Sequence, residues 1–64
     1  MIKLRQTATF SDIRLSIHEL TLLSNALNEV CNGGDIDDAE FATRLGAERD
    51  ELRQLLENIG SAIL

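Results

Sequence analysis

Few side chains in this sequence can do chemistry, and their spacing limits what that chemistry is. His18 and Cys31 are the single histidine and the single cysteine. Catalysis by His18 would need a neutral imidazole beside a nucleophile and a third group to orient the ring. Ser16 and Thr21 lie near it in sequence, but no orienting group does, so His18 reads as an exposed first-turn residue. Cys31 falls at the far end of a helical pattern, away from the helix N-terminus that would activate a thiol, and reads as a small core residue. One Cys and one His cannot make a four-ligand zinc site. The acids Asp35, Asp37, Asp38 and Glu40 follow Asn32-Gly33-Gly34 and superficially suggest a calcium loop. Such a loop needs oxygen ligands at alternate positions and a central glycine. Counting from Asp35, Ala39 and Glu40 occupy the fifth and sixth places, so the acids read as helix caps. Gly33-Gly34 lacks the strand, lysine and hydroxyl of a phosphate loop. Phe10 and Phe41 are the two aromatic residues, too few for a base-stacking platform. No cofactor, metal or catalytic group is therefore expected, and the chain reads as a non-enzyme.

The elements that would position these residues follow from hydrophobic period. Ile2, Leu4, Ala8 and Phe10 alternate with Lys3, Arg5, Thr7 and Thr9, which predicts a half-buried strand, with a turn at Ser11-Asp12. Ile13 and Leu15 restart the alternation, so a hairpin is one reading; a helix already begun at Ser11 is the other. Ser16-x-x-Glu19 is a capping box and favours the later helix start. From Ile17 to Cys31, Leu20, Leu23, Leu27, Val30 and Cys31 line one face, and Leu22 with Ala26 widens it beyond what one partner helix needs. Asn32-Gly33-Gly34 ends that helix. Asp37-x-x-Glu40 predicts a second N-cap with its reciprocal glutamate, opening a short helix that turns Phe41, Ala42 and Leu45 inward and stops at Gly46. A last helix is expected from Glu48 to Ile59, with Leu52, Leu55, Leu56 and Ile59 on one face. Gly60 would end it, leaving Ala62, Ile63 and Leu64 as an apolar tail. The expected fold is mainly α: three helices, the last two an angular pair, preceded by a short N-terminal β-strand or hairpin. It is one domain over residues 1–64, with 1–15 as the arm and 16–64 as the helical unit.

Within residues 38–57, Phe41-Ala42-x-x-Leu45-Gly46-Ala47 sets a small residue in one helix and a glycine four positions later. Leu52 and Leu55 then fall where a following helix would pack back. This segment resembles the helix-turn-helix superfamily. The resemblance implies an angular two-helix unit and, in DNA-binding members, a second helix that enters the major groove by its N-terminal residues. Carried over, these are Glu48, Arg49, Asp50 and Arg53, with Arg44 and Gln54 beside them and Lys3 and Arg5 as a basic arm. Glu48 stands where a small Ser or Thr cap is usual, and Glu48, Asp50 and Glu51 oppose phosphates. A minimal helix-turn-helix DNA-binding regulator is therefore the alternative function.

Size and charge favour a protein partner. A 64-residue chain buries only about 60% of the surface its unfolded form exposes, so small domains usually add a staple. With disulfides and metals set aside, self-association or docking remains. Residues 1–34 balance Lys3, Arg5 and Arg14 against Asp12, Glu19 and Glu29, so the whole net charge of -5 lies in residues 35–64. That asymmetry favours basic partner surfaces. The broad stripe, the lone arm and the apolar tail together predict a homodimer. Leu22, Ala26, Ile63 and Leu64 are the expected partner contacts, with Asp50 and Glu51 facing a basic surface. There is no apolar run of about 18 residues and no apolar leader segment, so no membrane association is expected. The lone cysteine fits a reducing cytoplasm. The expected function is an acidic protein–protein interaction or regulatory module, an adaptor or inhibitor of a protein partner.

Overall fold

The computed structural model describes residues 1–63. Five elements follow in order: β1 (Ile2–Gln6), β2 (Ser11–Arg14), α1 (Ile17–Asn32), α2 (Asp38–Leu45) and α3 (Arg49–Ile63). The chain is mainly helical with an N-terminal antiparallel hairpin, as its periodicities predict. Leu64, expected in the apolar tail, lies outside the described residues.

The hairpin turns earlier than the sequence suggests. Its loop is Thr7–Phe10, and Ser11-Asp12 belongs to β2 rather than to a turn. Thr7 is the cause: its amide donates to the Phe10 carbonyl at 2.8 Å, and its hydroxyl accepts the Phe10 amide at 3.0 Å. A threonine hydroxyl that takes loop amides in this way replaces the ladder bonds a continuing strand would make. Lys3 pairs with Ile13 and Arg5 with Asp12, so Leu4 is a bulge that breaks the alternation of β1. Both strands are exposed along their whole length, and neither touches a helix.

α1 begins at its capping box. Ser16 Oγ accepts the Glu19 amide at 3.0 Å, and Glu19 Oε1 accepts the Ser16 amide at 2.9 Å. Two of the amides that a helix start leaves unpaired are satisfied reciprocally. The helix closes at Gly33, which stays right-handed, and Gly34 makes the left-handed exit at φ 77°. α2 departs from its predicted cap. Asp37 occupies the cap position, but its carboxylate makes no capping bond. Its backbone carbonyl instead accepts both the Glu40 and Phe41 amides at 3.0 Å. Glu40 does not reach back; its carboxylate lies 3.9 Å from Arg44 one turn on. Gly46 ends α2 at φ 76°, a left-handed position that suits glycine.

α3 starts at Arg49 and runs through Gly60 to Ile63, four residues beyond the predicted stop at Ile59. A glycine inside a helix costs about 1 kcal/mol relative to alanine. Here the extra turn brings half-buried Ile63 onto the same side as Leu52, Leu56 and Ile59, which offsets that cost. Ala62 and Ile63 are therefore helical and do not form a tail.

The helices meet as α1 against α3 and α2 against α3. Among the described residues, Cys31 and Phe41 alone are buried, each 1% exposed. Leu45, expected to face inward with Phe41, is exposed instead. Arg49 closes this small core. Its guanidinium donates to the Cys31 carbonyl at 2.8 Å and to the Ile36 carbonyl at 3.0 Å. It also pairs with Asp38 at 2.9 Å and lies 4.3 Å from the centre of the Phe41 ring. A cation in the first turn of its own helix opposes the dipole. At the C-terminal end of α1 it has the favourable sign, and α1 has no basic residue in its last turn. Arg49 thus caps α1 from α3.

Candidate interaction surface

Away from that closed end, the α1–α3 pair stays open on one side. Leu20, Ser24, Leu27, Val30 and Cys31 form the face of α1 turned toward α3. Successive helical residues are about 100° apart, so adjacent Leu22 and Leu23 cannot both reach that face. Leu22 is 54% exposed and Leu23 42% exposed, and Ala26 is exposed with them. On α3, Leu52, Leu56 and Ile59 turn toward α1 while Leu55 stands off at 46% exposure. Leu23, Ala26, Leu27, Val30, Leu55 and Ile59 together line a cleft of about 260 Å³. All six are aliphatic, so the cleft offers dispersion contacts and no hydrogen bond.

The expected partner contacts fall unequally around it. Ala26 lines the cleft, and Leu22 extends the apolar flank of α1 beyond it. Ile63 is half-buried in the last turn of α3 and partly used by the fold. Leu64 lies outside the described residues. Asp50 and Glu51 are exposed in the first turn of α3, where their sign suits the helix dipole. Asp50 also lies 3.6 Å from Arg53. Leu23, Leu55 and Ile59 belong to the apolar faces that helical spacing predicts, and the Leu22-Leu23 pair is the sequence signal that the stripe overruns one contact face.

The residues implied by the helix-turn-helix resemblance are mostly engaged with their neighbours. Arg49 is tied into the fold at 19% side-chain exposure. Arg44 faces Glu40 and Arg53 faces Asp50 on their own helices. Gln54 donates to Asn58 at 3.4 Å, and Lys3 to Gln6 at 3.1 Å. Arg5 is exposed on β1, opposite Asp12. Asp38, Glu48 and Asp50 surround Arg49 and Arg53 in a second hollow over Phe41, which leaves it mixed in charge.

Two further features bear on chemistry. The Met1 ammonium donates to Glu19 Oε2 at 2.6 Å and is the tie between the arm and α1. That contact, followed by the Ser16 amide, holds the Glu19 carboxyl down at about 2. His18 is exposed and Cys31 is buried and unpaired, as their positions predict. No helix of the described residues is long and apolar enough to cross a membrane. Comparison of the chain with protein-family models, curated proteins and solved structures finds no match.

Proposed function

We propose that this protein is a protein–protein interaction module, an adaptor or inhibitor that works by docking the apolar α1–α3 face onto a protein surface. The open cleft carries the reading: Leu22, Leu23 and Leu55 stay exposed in the folded chain. Single exposed apolar residues are ordinary on protein surfaces, but a contiguous aliphatic patch around a cleft marks a contact site. The acidic C-terminal half favours basic surroundings on the partner away from the cleft itself. Asp50 and Glu51 stand in the first turn of α3, outside the cleft lining.

The test is a photo-crosslinking amino acid placed at Leu22 and, as control, at exposed Thr43 on α2. Irradiation of the producing cells should give discrete protein adducts from position 22 and none from position 43. Adduct formation to any protein, this chain included, supports docking at this face. Equal or absent adducts at the two positions would refute it.

A further inference from the structure

Resting on that reading, we infer that the occupant of the α1–α3 cleft is a second copy of this chain, related by a two-fold axis passing close to Leu23 and Ala26. The chain exposes 5084 Å², whereas a compact monomer of 7.1 kDa exposes about 4,100 Å². The hairpin, which packs on no helix, contributes to this excess of about 1,000 Å² together with the open α1–α3 side; a standard stable interface buries roughly 800 Å² per partner.

A stable domain packs at least two layers of secondary structure around its core. α1 and α3 form one layer, α2 meets α3, and the hairpin packs on no helix. None of the described residues lies across the cleft. Two α1–α3 pairs stacked face to face make a four-helix arrangement whose shared core is the six aliphatic cleft residues.

Charge selects a second copy over a basic partner at the cleft. A two-fold contact brings each residue near the axis against its own equivalent, so a charge there meets its own sign. From Leu20 to Asn28 α1 carries no charged residue, and Leu23 and Ala26 sit inside this neutral stretch. The acids Glu19 and Glu29 lie at its two ends. A basic partner would be matched by acids beside the cleft centre, and the lining has none. Ala26 is also small enough for two helices to approach closely.

The experiment is sedimentation equilibrium of the full chain over a wide concentration series, with helicity followed by circular dichroism. The wild type should show twice the 7.1 kDa chain mass. Glutamate and lysine are good helix formers, so Ala26→Glu and Ala26→Lys should stay helical. Each alone should dissociate, with the dimer constant weakened about 100-fold or more by the like charges. An equimolar mixture of the two should restore a heterodimer. If either variant loses helix, Leu55→Gln gives the same monomer-or-dimer reading. A wild type monomeric throughout, a dimer indifferent to Ala26→Glu and Leu55→Gln, or a mixture that fails to reassociate would each overturn the second-copy assignment. Adducts from position 22 to a different protein would overturn it too, while leaving the docking function standing.

Discussion

Replacing Arg49 with alanine should cost about 3 kcal/mol of folding free energy, most of it from two backbone carbonyls and not from the visible ion pair. Hydrogen bonds from a charged donor are worth about 1.5–3 kcal/mol each. Arg49 makes two of them, to Cys31 and Ile36, in a part-buried setting. They share one guanidinium and are not additive. The Asp38 pair adds at most about 1 kcal/mol, because the Asp38 side chain is 93% exposed. The contact with Phe41 adds about 0.5–1 kcal/mol. Against these, removing a cation from the first turn of α3 returns about 0.3–1 kcal/mol. A domain of this length has about 3–10 kcal/mol in total, so the loss is between a third and all of it. Urea titration followed by circular dichroism, at one fixed chain concentration, reads the shift in midpoint at constant slope. Asp38→Ala should cost no more than about 1 kcal/mol. Arg49→Lys should fall between, because it keeps the charge but cannot bridge two carbonyls and a carboxylate at once. Arg49→Ala within about 0.5 kcal/mol of wild type, or Asp38→Ala as damaging as Arg49→Ala, would show that the carbonyls are not what holds the closure.

Other outcomes follow from single residues. Ser16→Ala should lower stability by about 1 kcal/mol through the lost N-cap, read by the same titration. The Glu19 carboxyl is depressed, so the stability it contributes is complete above its ordinary 4.5 and is lost as pH falls through about 2; a carboxyl resonance titrating near 4.5 would contradict this. Alanine at Gly46 and Gly60 should act oppositely, since an added Cβ meets nothing within 4 Å at either position. Gly46→Ala should destabilise by about 1–2 kcal/mol because its φ is 76°, whereas Gly60→Ala, inside α3, should stabilise by about 0.5–1 kcal/mol; equal effects would undo the backbone argument. Fluorescence anisotropy of a mixed-sequence duplex at low salt should show no salt-sensitive binding, and a rise that collapses with salt would transfer the weight to the helix-turn-helix alternative.

The sequence made legible what depends on local pattern. Helical spacing placed the three helices, Ser16-x-x-Glu19 fixed the start of α1, and Gly46 fixed the end of α2. What escaped it depends on partners distant in the chain. Asp37 looks like a side-chain cap, yet its carbonyl does that task while Glu40 turns to Arg44. Gly60 looks like a stop, yet Ile63 gains enough from packing to carry the helix past it. Arg49 is the clearest case. Read on its own helix it is a misplaced cation free to meet a phosphate; read in three dimensions it is the missing basic residue of α1. The residue types of the cleft were visible, but whether Leu23 and Leu55 face the core or solvent depends on how far α1 and α3 rotate against each other, and periodicity does not set that angle.

The Arg49 closure and the open cleft are connected. The guanidinium fixes the end of α1 to the loop at Ile36, to the first residue of α2 and to the start of α3, all around the Phe41 ring. With that end fastened, the two long helices have a set spacing, and the Leu23–Leu55 cleft between them exists before anything occupies it. A preformed face loses less conformational entropy on docking than one that must be assembled. That matters where two of the described side chains are fully buried, because such a domain has little stability to spare for ordering. The charge pattern fits the same division: cation and acids gather at the fastened end, and the neutral stretch Leu20–Asn28 lies along the open side. Loosening Arg49 should therefore weaken docking at a site it does not touch, by letting α1 turn against α3 and close the cleft onto its own leucines.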